Sequence, residues 1–204
     1  MLSIFKVKQI DEIWLGSGAR ETKILFGQEK PYPPKKSIKR IKQLYYYLIE
    51  KYPKINIEMI CDSHSIGIEL EDKVNAQYQY NNERTGRIIF NSNKWQELGN
   101  YNMLGRGGIP DEIKMKTWNL KDVYHKNHLQ YVFIHEFAHA IETQYKLYEN
   151  KTIINAYNKY KQNNIFEEDV SEFIVNCFVT SIVAENNEMA NRVRKIMEFQ
   201  IKNN

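Results

Sequence analysis

The hydrophobic and polar positions divide the chain into a part with short apolar runs and a later part with helical periodicity. Apolar runs bounded by Asp, Ser, Asn and Gly predict short strands within the first 90 residues. One amphipathic helix, over about residues 38–51, interrupts these runs, and Ser37 is its expected N-cap. Apolar residues then recur at helical spacing over four later segments, at about residues 123–148, 152–162, 168–184 and 187–202.

This order of elements predicts the α+β class, with a small, mostly antiparallel sheet followed by a helical carboxyl-terminal half. Residues 1–34 are predicted to form a β-hairpin-like extension, because two apolar runs flank a Gly-Ser-Gly turn and a stiff, proline-rich connector follows. Residues 35–204 would then form the main domain. Residues 92–122 lack a periodic pattern and are expected to form a long loop, which is more often functional than idle.

Composition limits the classes of protein to which the chain can belong. Hydrophobic residues make up 42% of the 204 residues, which argues against a disordered chain. No apolar run approaches about 18 residues, so we expect neither a membrane-spanning helix nor a membrane partner. The first residues carry charges within their apolar stretch, unlike a secretory signal, and the two cysteines give no disulfide framework. We therefore expect a cytoplasmic protein, with delivery or export by another route left open.

Lysine and arginine are concentrated in the segment KKSIKRIK, at residues 35–42, within a chain of net charge +4. One interpretation is a patch that binds an acidic partner or the phosphates of a nucleic acid through Lys35–Lys42. The other is the solvated face of the amphipathic helix predicted here, which is the commoner origin of a charge run.

The stretch YVFIHEFAHAIET, at residues 131–143, places two histidines and a glutamate in a run that is otherwise largely apolar. His135 and His139 are four residues apart, so on a helix they lie one turn apart on one face and can bind the same ion. Glu136 falls beside that ion rather than on it. The pattern His-Glu-x-x-His predicts one Zn²⁺ per chain, with Glu136 as general base toward a zinc-bound water. The alternative, two buried histidines without a metal, is costly.

A third ligand is needed, and the apolar segment at residues 166–183 offers the best candidates. The metzincin clan is excluded, because Glu142 and Tyr145 stand where that clan needs glycine and histidine. The segment carries the carboxylates Glu167, Glu168, Asp169 and Glu172. Only Glu172 is followed by a full apolar turn, which would carry it into the buried part of the helix. Glu168 suits a first helical turn, where the helix dipole favours acids. We assign Glu172 as the ligand, with Glu168 as its competitor.

With these residues the chain resembles the gluzincin metallopeptidases, and most of all their small members: the minigluzincins, the Pro-Pro endopeptidases and the catalytic domain of anthrax lethal factor. HEFAH matches the first motif of this family. EFIVNCF, at residues 172–178, matches the second motif at its ligand and apolar positions. The resemblance covers about residues 85–184. It implies a zincin-like fold with an edge strand over the active-site helix, and a zinc endopeptidase acting on an extended peptide or protein substrate.

Three further roles are expected. In the family, an edge strand before the active helix binds the substrate backbone, and the corresponding residues here are Arg87, Ile88, Ile89, Phe90 and Asn91. Relatives place an oxyanion-stabilising tyrosine shortly before the ligand-bearing helix; Ile165 stands near that place, and Tyr160 is a candidate for the role. Asn176 lies one turn beyond Glu172, so its carbonyl is predicted to orient a ligand histidine, the alternative being a solvent-facing side chain.

A second class of function is also compatible with the sequence. The chain could be a regulatory or binding protein that keeps a zincin fold without general proteolysis, or a protease of very narrow specificity. The absence of a tyrosine next to Ile165 and the basic amino-terminal region favour this alternative.

Overall fold

The computed structural model describes residues 11–15, 22–27, 33–81, 85–99, 128–163, 169–183 and 187–203. The described strands are β1 (Asp11–Leu15), β2 (Thr22–Phe26), β3 (Ile57–Asp62), β4 (Ala76–Tyr80) and β5 (Gly86–Phe90). The described α-helices are α1 (Lys35–Lys51), α2 (Trp95–Gly99), α3 (His128–Gln144), α4 (Lys151–Asn163), α5 (Val170–Val183) and α6 (Glu188–Asn203). The protein is therefore of the α+β class, and it is mostly helical.

The strands form one five-stranded sheet in the order β1-β2-β3-β5-β4. The β1/β2 and β4/β5 pairs are antiparallel, whereas β2/β3 and β3/β5 are parallel. The expectation of a mostly antiparallel sheet is therefore wrong, because the sheet is mixed. The physical reason is α1, which connects β2 to β3 as a crossover, and a crossover lets two successive strands run in the same direction.

Strands β1 and β2 occupy the segment predicted to be a β-hairpin-like extension, and they do pair antiparallel. Strand β2 also pairs with β3 in the middle of the sheet. Its residues Ile24 and Phe26 are buried in the same hydrophobic core as the helices. The boundary proposed at residue 34 therefore does not coincide with a boundary of the core.

Helix α1 begins earlier than its predicted cap. It starts at Lys35, with Pro34 as the N-cap residue, and Ser37 is a buried residue inside the first turn rather than the cap. The backbone N–H of Ser37 donates to the carbonyl of Pro34 at 2.8 Å. The remaining buried positions of α1 follow the predicted helical spacing and are Ile41, Leu44, Tyr45 and Leu48.

Helix α3 lies in the interior, in contact with β4, α1 and α5. Its fully buried side chains are Phe133, Ile134, Phe137, Ala138, Ala140 and Ile141. Helix α5 contributes the fully buried Phe173, Ile174, Val175, Cys177, Phe178 and Val179. Each large apolar side chain buried in this way contributes about 1.5–3 kcal/mol to folding. The polar residues of α3 are thus held in fixed positions inside the molecule.

The carboxyl-terminal helices occupy the predicted segments with shifted ends. Helix α3 ends at Gln144, before the predicted end at residue 148, and Lys146 adopts a left-handed conformation with φ of 49°. A short 3₁₀ helix at Leu147–Glu149 then leads into α4. None of the helices in the described part of the chain is both long and apolar enough to cross a bilayer.

The predicted loop at residues 92–122 begins with helical structure instead. Ser92–Lys94 form a 3₁₀ helix, which α2 continues, and Trp95 is buried between them and the sheet. The side chain of Asn91 caps this start by accepting a hydrogen bond from the N–H of Asn93 at 3.1 Å. Residues 100–122 of the predicted loop lie outside the described residues.

Candidate metal centre

Helices α3 and α5 bring together three side chains that could hold a metal ion. His135 and His139 extend from successive turns of α3, and Glu172 extends from α5, so that one potential ligand atom of each lies within 4.8 Å of the others. The two imidazole Nε2 atoms are 3.2 Å apart. The Glu172 carboxylate lies 3.8 Å from Nε2 of His135 and 3.4 Å from Nε2 of His139. Two imidazoles and one carboxylate from two helices therefore face one point.

Glu172 reaches this point from the first turn of α5, not from its buried middle. Asp169 precedes the helix, and its side chain accepts a hydrogen bond from the backbone N–H of Glu172 at 2.9 Å, which makes Asp169 the N-cap. The Glu172 side chain is 40% exposed. The expectation that Glu172 is carried deep into the helix is therefore wrong, although the residue does face the histidines. Glu168, its competitor, lies outside the described residues.

Glu136 is not one of the three residues of this group. Only 6% of the residue is exposed, and its Oε2 accepts a hydrogen bond from the backbone N–H of Tyr78 at 2.6 Å. Burial raises the pKa of Glu136 to about 7, against the opposing effects of His139 and of the Tyr78 N–H. A carboxyl group with this pKa can exchange a proton near neutral pH, as a general base must.

Glu142 is a site residue that the sequence reasoning missed. It is buried three residues after His139 on α3, and its Oε2 lies 4.0 Å from Nδ1 of that imidazole, an ion-pair distance rather than a hydrogen bond. The hydroxyl of Thr143 donates to the same oxygen at 3.2 Å. The sequence did contain a signal for this role of Glu142. A carboxylate three residues after His139 lies on the same face of the helix as that histidine.

The carboxylates around His139 control its protonation in the metal-free chain. Burial by itself lowers the pKa of this imidazole, but Glu142, Glu172 and Glu136 together outweigh burial and raise the pKa to about 10. A metal ion placed among the same carboxylates would replace this proton, because an imidazole ligand must be neutral at the coordinating nitrogen. The carboxylates of this cluster therefore favour a positive charge at His139.

Asn176 is buried behind the histidines, with 1% of its surface exposed. The solvent-facing alternative for this residue is therefore wrong. Its Oδ1 accepts a hydrogen bond from the hydroxyl of Tyr131 at 3.2 Å, and the Tyr131 ring stacks on the His135 ring with centroids 5.9 Å apart. Asn176 thus contacts His135 through Tyr131, which sequence reasoning also missed although it precedes His135 by one helical turn.

Tyr160, the candidate for oxyanion stabilisation, lies on α4. Its ring packs against Phe173, the residue that follows Glu172, with centroids 5.3 Å apart. Tyr157 packs against the same ring at 5.6 Å. These contacts put both tyrosines beside the helix that carries Glu172. A role for Tyr160 in chemistry stays a prediction.

The segment Arg87–Asn91 does not form an edge strand. Strand β5 lies between β3 and β4, so its backbone hydrogen-bonding groups are used on both sides, and Asn91 caps the following 3₁₀ helix. The prediction that these residues bind a substrate backbone is therefore wrong. The edge of the sheet next to α3 is β4, whose Tyr78 contacts Glu136. The prediction took β5 as the edge because it is the last strand in the sequence. In the sheet, β4 lies outside β5.

The other histidines do not belong to the cluster as far as the structure describes them. His64 begins a 3₁₀ helix after β3 and is exposed. His128 is the first residue of α3. His125 lies outside the described residues.

Comparisons with protein-family models, with curated proteins and with solved structures found no match for this chain. The types of residue in the cluster and their geometry therefore carry the functional conclusion. The motif HEFAH lies in α3 and the motif EFIVNCF lies in α5. The fold brings these two helices together.

Proposed function

We propose that the protein is a zinc-dependent endopeptidase of the gluzincin type on a zincin-like fold. The single observation that carries this proposal is the cluster of His135, His139 and Glu172, with the buried Glu136 next to it. Ligand atoms around a tetrahedral Zn²⁺ with bonds of about 2.0–2.1 Å are separated by about 3.3 Å. The two Nε2 atoms are 3.2 Å apart, Oε1 of Glu172 lies 3.4 Å from Nε2 of His139, and Oε2 of Glu172 lies 3.8 Å from Nε2 of His135. Each of these distances is near that value, with the two Glu172 oxygens each facing one histidine.

The donor set also fits zinc chemically. Two imidazoles and one carboxylate leave one position of a tetrahedral site open, which is the arrangement of catalytic rather than structural zinc sites. When bound, zinc would supply a Lewis acid that polarises the scissile carbonyl and lowers the pKa of water. The remaining steps belong to the residues of the chain.

Glu136 is the general base in this proposal. Its carboxyl group is buried and its pKa is near 7, so at neutral pH it can take a proton from the attacking water and later donate a proton to the leaving amine. The hydrogen bond from the N–H of Tyr78 fixes the carboxylate beside the ligands without making it one of them. Glu142 faces Nδ1 of His139 and orients the ring so that Nε2 faces the other two ligands.

Strand β4 is the proposed docking strand for an extended substrate. In an antiparallel strand the N–H and C=O of one residue point to the same side, and the side alternates along the chain. Because the Tyr78 N–H meets Glu136, the backbone groups of Ala76, Tyr78 and Tyr80 point away from β5. The Tyr78 N–H is already used by Glu136, so a peptide added along this edge would bond to the remaining outward-facing groups and lie next to Glu136.

The decisive experiment combines metal analysis with cleavage of a library of extended peptides. Wild-type protein should hold about one zinc per chain and cleave members of the library. The Glu136→Gln variant should keep its zinc and lose cleavage by at least about 100-fold, since a general base typically contributes 10²–10⁴-fold. A preparation that holds no zinc after supplementation would overturn the proposal. Stoichiometric zinc without any cleavage would instead favour a non-proteolytic binding protein on the same fold.

The assignment of the third ligand has its own test. The Glu172→Ala variant should lose zinc, because one of three ligands is removed. The Glu168→Ala variant is the matched control, one helical turn earlier in the sequence, and should retain zinc. Loss of zinc from the Glu168→Ala variant alone would show that Glu168, and not Glu172, is the third ligand.

A further inference from the structure

Helix α1 concentrates the positive charge of the chain. It holds six of the 29 lysines and arginines and one of the 25 aspartates and glutamates, so its net charge of +5 exceeds the +4 of the whole chain. Its cations are Lys35, Lys36, Lys39, Arg40, Lys42 and Lys51. The lysines 35, 36, 39 and 51 are exposed, and the other two cations are partly exposed. Such a concentration of charge attracts polyanions.

Three of these lysines form a stripe along the helix. Lys35, Lys39 and Lys42 follow the spacing i, i+4 and i+7, so they lie on one face within about 10 Å along the helix axis. Within the part of the chain that the structure describes, none of the three forms an ion pair with a carboxylate. As far as the described residues show, no carboxylate of the chain neutralises these three charges.

Two tyrosines continue the same surface toward the end of the helix. Tyr46 lies one turn beyond Lys42, and Tyr47 follows it; each is 50% exposed. The ammonium of Lys51 lies 5.9 Å from the centroid of the Tyr47 ring. We call Lys35, Lys39, Lys42, Tyr46 and Tyr47 the basic-aromatic face of α1. Exposed aromatic rings beside cations are the combination that binds unpaired bases and their phosphates.

The opposite face of α1 is fixed in the core, which restricts the kind of partner. Ile41 and Leu48 are fully buried, and Arg40 donates a hydrogen bond to Gln130 on α3 at 2.6 Å. A helix that lies in a bilayer interface inserts its apolar face into the lipid, and α1 has already used that face within the protein. A lipid surface is therefore a poor fit.

We propose that the basic-aromatic face of α1 binds single-stranded nucleic acid. The lysines neutralise phosphates, and Tyr46 and Tyr47 stack on bases, which makes binding dependent on salt but tolerant of sequence. This site is separate from the candidate metal centre, because the metal ligands lie on α3 and α5 while this face of α1 points away from its packing partners. The proposal does not depend on peptidase activity.

Fluorescence anisotropy of a labelled 20-nucleotide oligothymidylate, with the full-length zinc-loaded protein, tests the role of the charges. The triple variant Lys35→Glu, Lys39→Glu, Lys42→Glu should bind at least about tenfold more weakly at low salt. Its plot of log affinity against log salt should also be less steep by about 2, because each phosphate contact with a single strand contributes a slope of about −0.7. The matched control, Arg192→Glu, Lys195→Glu, Lys202→Glu, reverses three exposed charges on α6 and should bind like wild type.

The double variant Tyr46→Ala, Tyr47→Ala tests stacking separately. It should weaken oligonucleotide binding about tenfold without changing the salt slope, since stacking releases no counterions. All five positions are on the surface, so circular dichroism and melting curves should match wild type, and the two variants give independent readouts.

Other partners give different results in the same assay. Equal loss of affinity in the α6 control, or an unchanged affinity in both α1 variants, would overturn the proposal. Equal affinity for a duplex of the same length, with no effect of the tyrosine variant, would show a general polyanion patch rather than a single-strand site. Binding to phosphatidylserine vesicles or to polyglutamate, without binding to the oligonucleotide, would likewise overturn it.

Discussion

At the residue scale, two buried glutamates on α3 have different environments and different expected roles. Glu136 faces the sheet and accepts the backbone N–H of Tyr78, whereas Glu142 faces the outer nitrogen of His139. Sequence spacing was sufficient to expect His135 and His139 on one face of a helix, because the helix period alone fixes their relative positions. It was not sufficient for Glu142, since burial decides whether a carboxylate beside a histidine is a structural partner or a solvated charge.

Glu142 should strengthen metal binding without contacting the metal. The Glu142→Leu variant removes the negative charge that faces Nδ1 of His139, and loss of such a partner typically weakens metal affinity by about 10–100-fold. The Glu142→Gln variant keeps an acceptor oxygen and should be weakened less. Zinc competition with a chromophoric chelator measures both. Glu149→Gln, which removes an exposed carboxylate from the 3₁₀ helix after α3, is the control; a similar loss there would rule out a specific role for Glu142.

Zinc affinity should rise with pH. In the metal-free chain the pKa of His139 is about 10, so at neutral pH the imidazole holds a proton that zinc must displace. One proton released per zinc makes the affinity rise about tenfold per pH unit between pH 6 and 8. The stability of the metal-free fold changes with pH in the opposite direction. The raised pKa of His139 contributes stability that is present below pH 6.5 and is lost as the pH rises through about 10. A chelator competition at pH 6, 7 and 8 that gives equal affinities would contradict this.

At the element scale, the site depends on how β4 is attached to α3. The Tyr78 N–H binds Glu136 near the middle of α3, and the Tyr78 hydroxyl accepts a hydrogen bond from Gln144 at the end of α3 at 3.1 Å. Gln144 is held in turn by the backbone N–H and C=O of Asn56. The helices and most strands were predictable because their periodicity is local. The strand order was not, because pairing is decided by contacts between segments far apart in the sequence.

Gly86 is required for this attachment. A β-carbon at Gly86 would clash with the ring of Tyr78 and with the carbonyl oxygen of Gln79, both on the neighbouring strand β4. The Gly86→Ala variant should therefore displace Tyr78, lower the free energy of unfolding by about 1–3 kcal/mol and reduce kcat/KM. Zinc content should change little, because the three proposed ligands lie on α3 and α5.

The matched control for this variant is Gly67→Ala. Gly67 has a φ of 66°, and no heavy atom lies within 4 Å of an added β-carbon, so the variant costs about 1 kcal/mol of backbone strain without touching Tyr78. Urea unfolding and peptide hydrolysis should show that only Gly86→Ala loses activity beyond its loss of stability. Parallel losses in both variants would mean that Gly86 acts through general stability alone.

At the scale of the whole molecule, the candidate metal centre lies between α3 and α5, two helices that are separated in the sequence by α4. His135 and His139 belong to α3, which packs on β4, and Glu172 belongs to α5, which packs between α3 and α6. The motif pair in the sequence was enough to expect this meeting of helices, whereas the depth of Glu172 was misjudged because the position of the N-cap Asp169 was not known. A metal ion here would couple local ligand geometry to the stability of the whole fold.

Removal of zinc should therefore lower the melting temperature of the whole domain. Zinc at 1,000 times its dissociation constant stabilises the native state by about 4 kcal/mol, and for a chain of this size each kcal/mol corresponds to roughly 2–4 °C. Calorimetry of wild-type protein with zinc and after chelation should thus differ by about 8–16 °C. The Glu172→Ala variant should melt near the chelated wild type and respond little to zinc, since α5 no longer contributes a ligand. The variant His64→Ala, which removes an exposed histidine outside the cluster, should keep the full response to zinc, and an equally small response there would mean that zinc acts at another place.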